Sequence, residues 1–209
     1  MNDWKLILKV VLGSAVLLGI IIFGLSKMTG TGTFLTVDQN KLLDGAKLTK
    51  ENGQTKVTVV NFSDMECPAC KAAHEALASL NATPGVKMVI RYYPLSIHKY
   101  GLISAKAAEA ANEMGKGWEL VDLLFSKQDE WAAATNIEDQ LASYAVSLGL
   151  DDKTFRVKMN SPEVATAVQQ DIDLGDSLQL SGTPTIYVNG EQVATEFVVA
   201  KVNDLLKAK

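Results

Sequence analysis

The sequence predicts an α/β domain, a small sheet interrupted by a helical insertion, preceded by one N-terminal transmembrane helix. Two β-branched, apolar runs, 56–62 (KVTVVNF) and 86–93 (VKMVIRYY), flank a stretch rich in helix formers. A long helical region follows, from about 103 to 178. The chain then closes with TIYV, an Asn189-Gly190 turn, a second short strand at 191–194 and a last amphipathic helix.

Residues 6–25 read LILKVVLGSAVLLGIIIFGL, with Lys9 as the single charge. At a rise of about 1.5 Å per residue, a helix of this length spans the roughly 30 Å hydrocarbon core of a bilayer. Lys5 and Lys9 lie ahead of the apolar run, so the positive-inside tendency keeps the N-terminus in the cytoplasm and sends everything after Lys27 outside. A cleaved signal peptide, with Gly24 and Ser26 as the small residues before the cut, is the rival reading. The run is longer than a usual signal core and no A-x-A follows it, which favours an uncleaved anchor. With no cysteine directly after the run, lipid attachment there is excluded. The expected location is the cell membrane, single-pass, with the C-terminal domain extracytoplasmic.

The small, polar stretch 29–33 (TGTGT) reads as a flexible tether. The expected divisions are 1–27, cytoplasmic tail and anchor; 28–55, tether and N-terminal extension; and 56–209, one domain with its insertion at about 101–180. The chain of 209 residues has room for one ordinary core. Its formal net charge is −4, and acids outnumber bases further beyond Lys27, which argues against a nucleic-acid partner.

In the helical region, 105–114 is alanine-rich and stops at Gly115. Thr135-Asn136-Ile137-Glu138 has capping-box spacing before a helix ending near Gly149, and Ser161-Pro162 supplies an N-cap and a first-turn proline. Four or five helices fit. Trp118 and Trp131 are expected in the core of this block and Trp4 at the membrane interface. The final helix, 196–207, is expected to bury Phe197, Val198, Val202, Leu205 and Leu206.

The only two cysteines are spaced Cys67-Pro68-Ala69-Cys70. As a zinc site they would need His74 and His98, which are separated by 23 residues, far from finger spacing. No metal is expected. As a structural staple the pair closes a loop too short to restrain the unfolded chain. The redox reading fits the location. Pro68 suits a first helical position, so Cys67 sits at a helix N-terminus, where unpaired N–H groups favour a thiolate and lower such thiols to roughly pKa 3.5–7.5. A substrate thiolate would attack Cys67 to form a mixed disulfide, which a second thiol resolves.

Three segments in order, VVNFSDMECPAC, YYPLSIH followed by AKAAEAA, and SGTPTIYVNG, resemble the DsbA-like branch of the thioredoxin superfamily, especially its membrane-tethered bacterial members. The resemblance runs from about residue 56 to the C-terminus and implies a thioredoxin-like fold. It also implies that Cys67 is the nucleophile, Cys70 the buried resolving cysteine, and Thr183-Pro184 the facing loop, with a cis bond before Pro184. Asn61 departs from the family, which commonly places an acid six positions before the first cysteine to assist proton transfer. Asp64 and Glu66 read as solvated on the strand-to-helix turn. His74 shares a helix face with Cys70, where a cationic ring would favour a thiolate, although a packed or surface histidine explains it equally. His98 reads as structural.

The Pro68-Ala69 pair differs from the Gly-Pro of reducing thioredoxins. Together with the outside compartment, it points to a dithiol oxidase that donates its disulfide to exported proteins with free thiols. Such an oxidase needs a membrane reoxidation partner linked to quinone and no bound cofactor, because the sulfurs carry the electrons. A monomer is expected. A reductase or isomerase of the same fold, and a membrane-anchored peptide-binding or chaperone module, are the alternatives.

Overall fold

The computed structural model describes residues 35–208. The expected anchor, the TGTGT tether and Trp4 lie outside the described residues. Among the described residues no helix is long and apolar enough to cross a membrane.

The segment VTVVNFS forms β2 (Val57–Ser63), and all seven of its residues are buried, as its continuous apolar and β-branched run requires. It is the central strand. On one side it pairs in parallel with β3 (Val86–Tyr92), in the register Val57↔Val86 to Ser63↔Tyr92. On the other it pairs antiparallel with β4 (Thr185–Val188), with Asn61 opposite Ile186 and Phe62 opposite Thr185.

Two short strands complete the order β1-β3-β2-β4-β5. β1 (Leu48–Glu51) lies antiparallel to β3, and β5 (Glu191–Gln192) closes the hairpin with β4. β5 is shorter than expected, although Val193 still donates its N–H to Ile186 at 2.9 Å. In the hairpin turn Asn189 and Gly190 both have positive φ, 49° and 87°. A side chain at Gly190 would put its Cβ 2.4 Å from the Val37 carbonyl.

The N-terminal extension contributes more than a tether. α1 (Gln39–Leu43) and β1 both join this domain, and Leu42 and Leu48 are fully buried. Each is too short, with a single buried residue, to show a periodicity in sequence.

α2 (Pro68–Leu77) follows β2 and runs into a 3₁₀ turn at Ala78–Ala82. Between β3 and β4 lies the insertion: α3 (Gly101–Glu113), α4 (Gly117–Ser126), α5 (Gln128–Ala132), α6 (Ile137–Ser147), α7 (Asp152–Met159) and α8 (Pro162–Ser177). These six helices exceed the expected four or five because the short α5 separates from α4 at Lys127. The caps are specific: Asn136 Oδ1 accepts from Asp139 N, Asp151 Oδ1 from Thr154 N and Ser161 Oγ from Val164 N. Trp131 is fully buried and its indole donates to the Leu124 carbonyl at 2.7 Å.

α9 (Thr195–Lys207) buries Val198 and Val202, one turn apart, while Leu205 and Leu206 are half-buried. Phe197 corrects the expectation. It is 59% exposed, because it sits one position off that apolar stripe.

The apolar interior forms three clusters. One lies between the sheet, α2 and α9 around Val59, Leu77 and Val202. Another lies on the opposite sheet face around Leu42, Phe62 and Tyr187. The largest joins the insertion to both cysteines through Met65, Tyr100 and Phe125. α8 crosses β3 closely at Gly175, where a Cβ would meet the Tyr93 ring at 2.5 Å. Nearby, the buried Arg91 pairs with Asp171 at 2.6 Å and donates to the Leu42 carbonyl, tying β3, α8 and α1 together.

Candidate functional site

The end of β2 delivers the chain into a tight turn, Asp64-Met65-Glu66, and Cys67 caps the N-terminus of α2 with extended backbone (φ −76°, ψ 121°). Proline at the next position needs no N–H partner, which is why the helix starts there. Cys67 N–H donates to the Asp64 carbonyl at 3.1 Å, and the Cys67 carbonyl accepts from Cys70 and Lys71. Pro68 and Ala69 are exposed between the cysteines.

The two thiols occupy different environments. Cys67 is 7% exposed and its Sγ lies 3.6 Å from the Thr183 carbonyl, whose peptide bond to Pro184 is cis. Cys70 is fully buried, with its Sγ 3.4 Å from the donating Asp64 N–H. Burial pushes the Cys70 thiol up to about 12, and the Cys67 charge adds to it. The Thr183 hydroxyl, the Asp64 N–H and the Ser63 hydroxyl oppose this more weakly. Those two hydroxyls lie against the thiol, but neither completes hydrogen-bond geometry with a partner among the described residues.

Asp64 and Glu66 correct the expectation of solvated acids. The Asp64 side chain is 0% exposed, and its carboxylate accepts from Glu66 N at 2.9 Å, Leu95 N at 2.7 Å and the His98 ring at 2.7 Å. Glu66 is half-buried and accepts from Tyr100 N. Both carboxylates therefore point into the loop after β3 and bind it to the cysteine turn. His98, read as structural, is part of that link.

Asn61 is buried under α2, with its Oδ1 unpartnered among the described residues. His74 is packed rather than free: its Nε2 lies 2.7 Å from Asp122 Oδ1, and its ring tilts against Phe125 at 4.7 Å between centroids. One buried residue escaped sequence reasoning altogether. Gln128 of α5 donates to the carbonyls of Met65 at 2.8 Å and Cys67 at 3.0 Å. Nothing local marks it, since a glutamine after Lys127 belongs to no motif. Among the described residues no group of three His, Cys, Asp or Glu is placed to hold a metal ion.

A cysteine at a helix N-terminus, a buried partner thiol and a facing cis-proline loop form one site, and residues 51–208 match the family described as Thioredoxin. The chain belongs to the thioredoxin family. A thioredoxin-like oxidoreductase from Silicibacter pomeroyi DSS-3 is 26% identical, with a TM-score of 0.67, covering 83% of this chain and 100% of that one. The fold is also that of oxidised BdbD from Bacillus subtilis, 23% identical with a TM-score of 0.67 over 79% of this chain and 95% of that one. It is shared by alpha-DsbA2 from Wolbachia pipientis, 19% identical with a TM-score of 0.69 over 80% of this chain and 91% of that one. This thioredoxin-family chain shares the thioredoxin-like fold of those structures.

A Na(+)/H(+) antiporter NhaA 3 of Salinispora tropica is 40% identical over 141 residues, 66% of this chain and 21% of that protein. The chain spans about a fifth of the length of the curated relatives it matches.

Proposed function

We propose that this thioredoxin-family chain donates the Cys67–Cys70 disulfide to exported proteins. A substrate thiolate attacks Cys67 Sγ, the Cys67–Cys70 bond breaks, and Cys70 leaves as a thiolate and takes up a proton. A second substrate thiolate then attacks the substrate sulfur of the mixed disulfide and Cys67 departs as a thiolate, so the substrate is oxidised by two electrons and the pair reduced by two. Thr183 and Pro184 form the loop on which the substrate strand lies.

The observation that carries this reading is the asymmetry of the pair. Cys67 lies at the helix N-terminus against the Thr183 carbonyl, while Cys70 is sealed beneath it and held protonated. The Pro68-Ala69 dipeptide supports the oxidising direction over the reductase or isomerase alternative.

The N-terminal apolar run, with basic residues ahead of it, supports a single-pass anchor over 1–27 and an extracytoplasmic place for the domain, to which the extension within 28–55 adds α1 and β1 beside 56–209. Relatives named as antiporters, which are membrane proteins, agree with a place at a membrane. There a quinone-linked partner would reoxidise the thiols, and tethering raises the effective concentration of the two for each other.

The reduction potential of the full chain, equilibrated against glutathione, tests the direction. A value well above roughly −200 mV is expected of a donor, and one near or below roughly −270 mV would instead identify a reductase. Replacing Cys67 with serine separates exchange from peptide holding: exchange is abolished, whereas a peptide-binding module would keep its affinity.

A further inference from the structure

Between β2, β3, α2 and α4 lies a small cavity lined by Asn61, His74, Asn81 and Trp118, with apolar walls from Leu77, Met88 and Ile90. It offers about 10 Å³ to the centre of a water-sized sphere, the room of one water molecule. Three buried polar atoms of its lining, Asn61 Oδ1, Asn81 Oδ1 and Trp118 Nε1, have no hydrogen-bond partner among the described residues. Each would carry a desolvation cost of about 1–3 kcal/mol if left so.

Their chemistry is complementary to a single water. Two are acceptors and one is a donor, so one molecule donates both its hydrogens to the asparagine oxygens and accepts the indole N–H. Three bonds are the usual complement of a buried water.

The cavity also has a direction. Asn61 and Ser63 are two positions apart on β2 and so lie on the same face of the strand. The Ser63 hydroxyl is buried, unpartnered and against the Cys70 thiol. A line of polar groups therefore runs from Cys70 through Ser63 to the cavity, with His74 in its wall. No carboxylate lines the cavity, and the position six before Cys67 is Asn61. The charged groups around it are Asp122, on the His74 ring, and Lys50, whose ammonium stands 5.6 Å from the Trp118 ring centre. With Nε2 donating to Asp122, Nδ1 is the basic nitrogen of His74.

We propose that this cavity is a built site for one water molecule, held by Asn61, Asn81 and Trp118, and that the water and His74 pass the proton to and from Cys70. The proposal rests on the exchange reading above. In the resolving direction Cys70 S–H gives its proton to the water, which turns one hydrogen from an asparagine oxygen to His74 Nδ1 and releases it there. The Cys70 thiolate attacks Cys67 Sγ of the mixed disulfide, the Cys67–Cys70 bond forms, and the other thiol leaves as a thiolate. In the donating direction the departing Cys70 thiolate takes the proton back from His74. Asn61 is a positioning residue for the water.

Two readouts on the full chain test this. The first is a rotating-frame Overhauser transfer from a long-lived water to the Trp118 indole proton, assigned with Trp118→Phe. It is expected in the native protein and lost in Asn61→Leu, which fills the cavity. Its absence from the folded native chain would remove the water site. The second is the reaction of the reduced chain with oxidised glutathione, quenched and read by mass. The first phase forms the mixed disulfide at Cys67 and the second is its resolution by Cys70. His74→Gln is expected to leave the first phase unchanged, slow the second at least about ten-fold and flatten its pH dependence. A second phase with native rate and pH dependence in His74→Gln would overturn the proton role. If the native chain forms no mixed disulfide at Cys67, the exchange reading itself falls, and this proposal with it.

Discussion

Gln128, on the helical insertion, donates its side-chain amide to the carbonyl of Cys67 at 3.0 Å and to that of Met65 at 2.8 Å. The insertion thus holds the cysteine turn from above, at the point where the strand ends and α2 begins. Gln128→Ala leaves two buried carbonyls without this donor and should cost about 1–3 kcal/mol. Urea unfolding of the variant checks it, and a change below a few tenths would mean that water replaces the amide.

The unequal burial of the two thiols predicts unequal reactivity. In the reduced chain, iodoacetamide should modify Cys67 and leave Cys70 intact up to about pH 11, because Cys70 is fully buried and pushed up to about 12. Peptide mass mapping across a pH series reads this directly. Labelling of Cys70 at neutral pH in the folded chain would contradict the environment described for it.

Tyr92 is buried and donates to Glu109 at 3.1 Å. Burial first, and the Glu109 charge second, hold its phenol well above the usual value of 10. Above pH 10 the unfolded chain loses this proton while the native chain keeps it, so stability falls as pH rises, by up to about 1.4 kcal/mol per unit. Tyr92→Phe should remove this share and flatten the alkaline limb of a urea-denaturation series. An unchanged slope would show that the phenol ionises alike in both states.

The buried Arg91–Asp171 pair links β3 to α8, and Asp171 Oδ2 also accepts from Tyr92 N at 2.9 Å. Asp171→Ala strands a buried guanidinium and should destabilise by about 3–5 kcal/mol. Replacing both partners with apolar residues, Arg91→Met with Asp171→Leu, should cost less than the single change, because no unpaired charge remains. Thermal unfolding of the single and double variants compares them.

Much of this molecule follows from local rules. The run VTVVNF suits a buried strand, Pro68 suits the start of a helix, and Asn189-Gly190 joins β4 to β5 through two positive-φ residues. The three segments that resemble the DsbA-like branch come together at one end of the sheet, since Phe62 of β2 pairs with Thr185, two positions after Thr183. The strand, the helix start and the turn depend on residues near one another in the chain, so periodicity and turn chemistry reveal them.

Other features depended on contacts across long separations. Asp64 looked like a solvated turn acid because its partners, Leu95 and His98, lie 31 and 34 positions away. β1 and α1 were invisible because four or five residues with one buried leucine carry no period, and only pairing with β3 makes a strand of Leu48–Glu51. Phe197 is apolar enough to read as core, yet the rotation of α9 is set by Val198 and Val202 against the sheet. The sequence by itself determined the cysteine motif, its place between strand and helix, and the family. The tertiary structure alone decided which thiol is sealed, which amide clamps the turn and which polar atoms face one cavity. Burial and hydrogen bonding between distant segments belong to the packed chain, and no local pattern encodes them.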